Sequence, residues 1–310
     1  PVMAPRRLAH GYGSYLLALL ATLIWSGNLI AARGLKDNVP PVSLAFWRCL
    51  VATLVMAPWG LGRISAEFQL VRSHLKLLAF LGLSGIAVFT IMVYIAAHTT
   101  AATNMSLLAV TAPAFILLLA RALHGQRLGW CRSAGTVLAL AGVAALVTRG
   151  TLSAVQPRPG DLWILGATLI FAYYSLLVRR APPAMSSATV LLTTFLIALV
   201  LLLPCYLLEL ALVGGFKVTV PVLASICYVG ALSSAAAYSC WNRAVEGVGA
   251  TRAGLLYYFL PVFTALLSAW ILGEPIAPEQ ALSAALIIAG VALGLRRSPR
   301  RSGSNVHPPH

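Results

Sequence analysis

Ten stretches of this chain run for about twenty residues each on apolar side chains, with short polar or basic segments between them. They cover roughly 13–33, 42–60, 75–97, 103–121, 131–149, 161–178, 187–208, 221–243, 251–272 and 279–295. A bilayer core about 30 Å thick takes about 20 residues of helix to cross, so the pattern predicts ten membrane-spanning α-helices. Barrel strands are about half as long and alternate apolar with polar positions, which these continuous runs do not. The first stretch follows Arg6 and Arg7 as a signal peptide would. It runs too long for one and leads into further apolar stretches, so it is expected to stay as the first helix.

The pattern also repeats. Residues 102–146 align without a gap on residues 250–294 at a constant offset of 148: Ala102-Thr103 falls on Ala250-Thr251, Pro113 and Phe115 on Pro261 and Phe263, Gly125 on Gly273, and Ala141-Gly142-Val143-Ala144 on Ala289-Gly290-Val291-Ala292. Biased composition scatters leucine and alanine matches, but it does not hold proline, glycine and phenylalanine in register, so the chain reads as an internal duplication. At an offset of 146 the earlier helices repeat more faintly, Arg33 on Arg179 and Pro58 on Pro204. The expected units are 13–150 and 161–297, with five helices each. An odd count makes the second unit enter the membrane from the opposite face, so the duplication predicts an inverted repeat. The fold expected is therefore an all-α membrane protein: ten transmembrane helices in two inverted five-helix repeats around a central cavity.

Composition agrees. Of 310 residues 60% are hydrophobic and 9% charged, with a mean hydropathy of +0.88, where a soluble domain carries about 25% charged residues. The net charge of +15 would suit nucleic acid, but its placement argues against that partner. Of the 22 Lys and Arg, Arg33, Lys36, Arg149, Arg158 and Lys217 fall on one predicted side, Arg48 falls inside a helix, and the other sixteen fall on the opposite side. Positive charge collects on the cytoplasmic side, so tails 1–12 and 298–310 are expected in the cytoplasm, at the inner (plasma) membrane. The five cysteines are dispersed, without a Cys-x-x-Cys pair, and predict neither a metal site nor disulfides.

Polar side chains concentrate on helices one, three, four, six, eight and nine, whereas five, seven and ten are almost plain Leu, Ala, Val and Gly. Polar groups avoid lipid, so the first set should surround the cavity. Helix ten carries Gly290-x-x-x-Gly294, a pattern for close helix packing. Candidate cavity residues are Trp25, Asn28, Tyr94, His98, Asn104, Trp163, Tyr174, Tyr238, Asn242 and Tyr258, whose aromatic faces suit an apolar side chain or an ammonium. The aromatic members also fit the interfacial belt of Trp and Tyr. Pro113 and Pro261 fall near mid-helix at equivalent positions and are candidate hinges. Arg48 either holds a substrate carboxylate, or pairs with carbonyls or snorkels toward the near face. All seven acids fall in loops or at helix ends, whereas a cation–proton antiporter needs one at mid-depth.

Enzymatic chemistry is expected to be absent, and with it any cofactor or metal. Gly82-Leu-Ser84-Gly85 has the shape used by intramembrane serine hydrolases, but His98 lies fourteen residues further on the same helix, about 21 Å away and beyond reach of a catalytic pair.

Trp25-Ser-Gly-Asn-Leu-Ile-Ala-Ala-Arg33, Pro41 with Phe46-Trp-Arg48, and the Ala250–Gly254, Pro261–Ala265 and Leu272–Pro275 segments resemble the EamA family of the drug/metabolite transporter superfamily. The resemblance spans about 14–297. It implies the ten-helix inverted repeat, alternating access and export of small metabolites, with the YddG-type amino-acid exporters as the nearest branch. Sugar-phosphate, nucleotide-sugar or drug export on the same fold is the alternative. Two departures stand out. The family's Gly-Glu pair is kept at Gly273-Glu274 but reads Gly125-Gln126 in the first unit, and the embedded glutamate of the small multidrug members has no counterpart at Trp25–Asn28. A doubled unit closes its own cavity, so the expected partners are a small solute and lipid, and the working form a monomer.

Overall fold

The structure, a computed structural model, describes residues 12–100, 102–125, 129–148, 159–272 and 278–295. Glu274, Gln126 and both tails lie outside the described residues, as does the Asn104 side chain. Helices account for almost all the rest: α1 Tyr12–Leu35, α2 Pro41–Ala66, α3 Phe68–Ser73, α4 Leu75–Leu81, α5 Phe89–Thr99, α6 Ala102–Ala109, α7 Ala112–His124, α8 Trp130–Thr148, α9 Pro159–Leu177, α10 Ser187–Val213, α11 Val220–Cys227, α12 Ala237–Val248, α13 Ala250–Leu256, α14 Leu260–Leu272 and α15 Pro278–Leu295. Among the described residues seven continuous helical runs are long and apolar enough to cross a bilayer, and two further apolar helices, Ala112–Leu123 and Ala285–Leu295, are shorter. The protein is a multi-pass membrane protein.

Two of the long runs contain a π-helical stretch. Gly82–Val88 joins α4 to α5 as a π-helix, and Tyr228–Ala236 joins α11 to α12 in the same way, starting 146 residues later. Wider π turns displace backbone from the helix line and mark functional places in many helices. Here they bring small residues against neighbouring backbone. A methyl group on Gly82 would lie 2.7 Å from the Thr194 carbonyl oxygen of α10, and one on Gly230 would lie 2.9 Å from the Arg48 carbonyl oxygen of α2. So α10 packs on the first π stretch as α2 packs on the second, and α5 meets α9 as α12 meets α1.

The Pro113 and Pro261 expectation needs correction. Neither proline sits at mid-helix. Val110-Thr111 already breaks the run between α6 and α7, and Pro113 stands in the first turn of α7. A 3₁₀ turn, Tyr257–Phe259, likewise separates α13 from α14, and Pro261 is the second residue of α14. Proline lacks only a hydrogen bond that a first turn does not make, so these residues start helices and do not kink them.

Carboxylates hold two helix starts. α2 begins at Pro40-Pro41 with no side-chain cap of its own. Glu209 of α10 supplies one, accepting from Val42 N at 3.0 Å, Ser43 N at 2.6 Å and Ser43 Oγ at 2.7 Å. Negative charge is favoured there by the unpaired N–H groups and the dipole. At the far end of the same helix pair Glu67 accepts from Ser186 N at 2.9 Å, next to the start of α10. The remaining seam joins α8 to α15 along glycine, with Gly135 against Gly290 and Gly294 and Gly142 against Ile287.

Candidate functional site

Between α1, α2, α5, α9 and the two helix breaks lies a cavity of about 30 Å³, enough for a water or two and too small for a metabolite. Trp25, Asn28 and Leu29 of α1 face it at i, i+3 and i+4; Phe89 and Val93 do so from α5, and Ile164, Thr168 and Phe171 from α9. This is the helical spacing that puts side chains on one face. Ala109 and Ala112 flank the α6–α7 break, Tyr257 stands in the α13–α14 break and Leu260 just after it, and Arg48 enters from α2. The lining is apolar and aromatic with a few polar groups, which is how small-molecule sites are built.

Arg48 is the charge in this wall, and it is buried at 4% exposure. Its Nε donates to Ser234 Oγ at 2.7 Å and its Nη1 to the Tyr94 hydroxyl at 3.0 Å. The Tyr94 ring also lies under the guanidinium, 5.7 Å from its centroid. These partners are side chains of neighbouring spans, so Arg48 neither snorkels to the surface nor relies on carbonyls, contrary to one of the two expectations. Among the described residues no carboxylate pairs with it; the ion pair found there is Lys36 with Asp37. The Oδ1 atom of Asn28, on the same cavity, is buried without a hydrogen-bond partner.

On one side the cavity ends in a layer of rings. Trp25 packs edge-on against Phe171 at 5.3 Å and Tyr238 at 5.4 Å, and lies 5.5 Å from Trp241. Its indole N–H donates to the Ser233 carbonyl at 2.9 Å, inside the second π stretch. Trp241 Nε1 donates to Ser175 Oγ at 3.0 Å, the Tyr238 hydroxyl donates to the Gly85 carbonyl at 2.9 Å, and the amide of Asn242 donates to the Tyr174 hydroxyl at 2.9 Å. All four residues are buried. The layer is fully bonded, so a single deletion is costly. Tyr174→Phe leaves the Asn242 amide without its partner, a loss of about 1–3 kcal/mol for a buried group. The midpoint of thermal unfolding in detergent is expected to fall by several degrees; an unchanged midpoint would show that the bond contributes nothing.

The residues expected at the cavity divide into three groups. Trp25 and Asn28 line it. Tyr94 stands behind Arg48, and Tyr174, Tyr238 and Asn242 form the ring layer beneath. His98, Trp163 and Tyr258 are not on the cavity wall. His98 is exposed, with Nδ1 against its own helix at Tyr94 O, 2.8 Å away, and Trp163 is 43% exposed. Tyr258 is buried off the cavity, and its neighbour Tyr257 takes the place expected of it. Phe89, Phe171 and Trp241 were not singled out from the sequence. The i, i+4, i+7 relation of Ile164, Thr168 and Phe171 was the signal that could have found one of them.

The Ser84 hydroxyl donates to Phe80 O at 2.6 Å within its own helix and stays apart from His98. Among the described residues no three His, Cys, Asp or Glu side chains come together as metal ligands.

The model of the EamA-like transporter family matches residues 13–148 and 158–296. An uncharacterized transporter of Archaeoglobus fulgidus is 30% identical over 294 residues, covering 90% of this chain and 96% of that protein. A probable terminal-alkyne amino-acid exporter of Streptantibioticus cattleyicolor is 30% identical over 290 residues, covering 91% of this chain and 93% of that protein. A solved crystal structure superposes with a TM-score of 0.71 at 22% identity, over 91% of this chain and 96% of that one, a likeness of fold.

Proposed function

The chain belongs to the EamA-like transporter family, a membrane transporter and not an enzyme, and from that premise we propose that it exports amino acids or close amino-acid metabolites by alternating access. The observation that carries this reading is the cavity itself: it is enclosed by helices from both halves of the chain, and its wall combines aromatic faces with Arg48 and Asn28. A relative named as an amino-acid exporter, similar over nearly its whole length, supports the substrate class.

In this reading ten spans form two inverted five-helix units, 13–150 and 161–297. The π stretches 146 residues apart, and the matched breaks at Val110-Thr111 and Tyr257–Phe259, support it. The ring layer of Trp25, Tyr174, Tyr238 and Trp241 is then the closed inner gate, with tails 1–12 and 298–310 on its side, in the cytoplasm. The helix breaks beside the cavity are the places where the wall moves, in the role first expected of Pro113 and Pro261. The protein works as a monomer in the inner membrane, on a small solute, without a cofactor.

Counterflow in proteoliposomes against the protein amino acids, with and without a pH gradient, tests the proposal. Exchange of amino acids that survives collapse of the gradient is expected, since no acid is found among the described residues of the cavity wall. Exchange of a phosphate ester with no amino acid moving would replace this reading with the sugar-phosphate one, for which Arg48 is the single basic residue on the wall.

A further inference from the structure

Two features of the cavity wall are unbalanced in ways that complement each other. Among the described residues the buried Arg48 guanidinium has neutral hydrogen-bond partners only, and its bonds to Ser234 and Tyr94 use Nε and Nη1. Phenol and serine hydroxyls satisfy donors but do not neutralise charge, and an unneutralised cation at membrane depth is costly. Asn28 presents the opposite need. Its Oδ1 is a buried acceptor that no donor reaches, in a side chain 7% exposed, and leaving such a group unmade is costly too. Both residues stand on the wall of one cavity, together with the rings of Trp25, Phe171 and Tyr257.

We propose that Arg48 and Asn28 form a two-point receptor for an α-amino acid, Arg48 taking the carboxylate and Asn28 Oδ1 the ammonium. The proposal rests on the amino-acid reading above and adds to it the atoms that hold the substrate. A carboxylate brings the missing negative charge and accepts from the free side of the guanidinium fork, for which Arg is suited and Lys is not. An ammonium brings three donors and no acceptor, so it satisfies Oδ1, and the three rings offer it their negative faces. The zwitterion adds no net charge to the site. Its side chain is left to the apolar wall of Leu29, Val93 and Ile164. At about 30 Å³ the cavity must widen to admit the molecule, and Tyr257, in the 3₁₀ turn between α13 and α14, is on the part of the wall next to a break.

The test uses the full chain in proteoliposomes, with counterflow of labelled L-leucine, L-phenylalanine and L-serine. Each is challenged by its carboxamide, which lacks the carboxylate, and by its deaminated acid, which lacks the ammonium. Both analogues are expected to compete at least about tenfold more weakly than the parent, the equivalent of one charge-assisted contact. R48Q is expected to weaken exchange of the parents at least about tenfold and to remove their advantage over the amides, which then compete as well as the parents do. R48K should raise KM about tenfold with turnover largely kept. N28A should weaken the parents and the amides but not the deaminated acids. Size-exclusion profiles and unfolding midpoints establish that each variant is folded; if R48Q is not, the selectivity of N28A decides. Equal losses for parents, amides and acids in N28A would assign it a merely structural role and overturn the receptor. So would wild-type protein that treats the amides as well as the parents. Failure of the wild type to move any amino acid is a different result, and sinks the substrate class on which the receptor stands.

Discussion

Gly135→Leu is expected to leave no folded protein. A methyl group at Gly135 would lie 2.5 Å from the Gly290 carbonyl oxygen and 2.6 Å from the Gly294 Cα, and one at Gly290 would lie 2.5 Å from the Ala139 amide nitrogen. All of these atoms are backbone, which cannot swing aside as a side-chain tip can. α8 and α15 would have to separate along their length, and in a bilayer no hydrophobic gain draws them together again, because lipid is as apolar as leucine; contact distance is what holds such a pair. Overpacking of this kind costs on the order of 3 kcal/mol or more, a large share of what any fold has to lose. The monodisperse fraction after detergent extraction is expected to fall close to zero. Gly62→Leu on α2, where a Cβ would meet nothing within 4 Å, is the matched control and should extract normally. A normal yield of Gly135→Leu would show that α8 and α15 do not meet in this way.

That seam was half legible in the sequence. Gly290-x-x-x-Gly294 announces a close contact but not with what, and Gly135 and Ala139, its partners on α8, read as ordinary members of an apolar run. The same limit applies to Arg48. A lone charge in a helix is visible in one dimension, whereas Tyr94 and Ser234, which hold it, come from 46 and 186 residues away. The π stretches left no trace because Gly, Ser and Ala residues of this kind suit an α-helix equally well. Tyr257 and Tyr258 show a finer limit: adjacent residues point about 100° apart on a helix, and the 3₁₀ turn that decides which one meets the cavity is not written in the apolar pattern. What the pattern did carry was the all-helical, many-span character of the chain and most of the helices that meet at the cavity. The cavity draws on five of the six helices expected to surround it, one, three, four, six and nine; the eighth supplies Tyr238 and Trp241 of the ring layer and Ser234, and Arg48 comes from the second, which was not in that set.

Trp25→Ala is the second change expected to be severe, and it separates the two jobs of the ring layer. The Trp25 indole meets Phe171, Tyr238, Trp241 and Tyr257, all within 5.9 Å between centroids, and lines the cavity on its other side. Truncating a buried tryptophan costs about 3–5 kcal/mol, and the aromatic pairs it breaks are each worth about 0.5–1.5 kcal/mol beyond their area. The unfolding midpoint should drop by far more than in Tyr174→Phe, which deletes one hydroxyl. Trp25→Phe keeps a ring in place and removes the N–H that Ser233 O accepts, so it should lie between the two in stability. In transport Trp25→Ala and Trp25→Phe should part more sharply than in stability. If the layer is the closed gate, Trp25→Ala loses counterflow at least about tenfold even at a temperature where it stays folded, because neither the cavity wall nor its floor is complete. Trp25→Phe retains exchange, since a ring still closes the layer below the cavity. Wild-type counterflow in folded Trp25→Ala would mean that solutes do not pass this layer, and the path would have to be sought elsewhere among the helices.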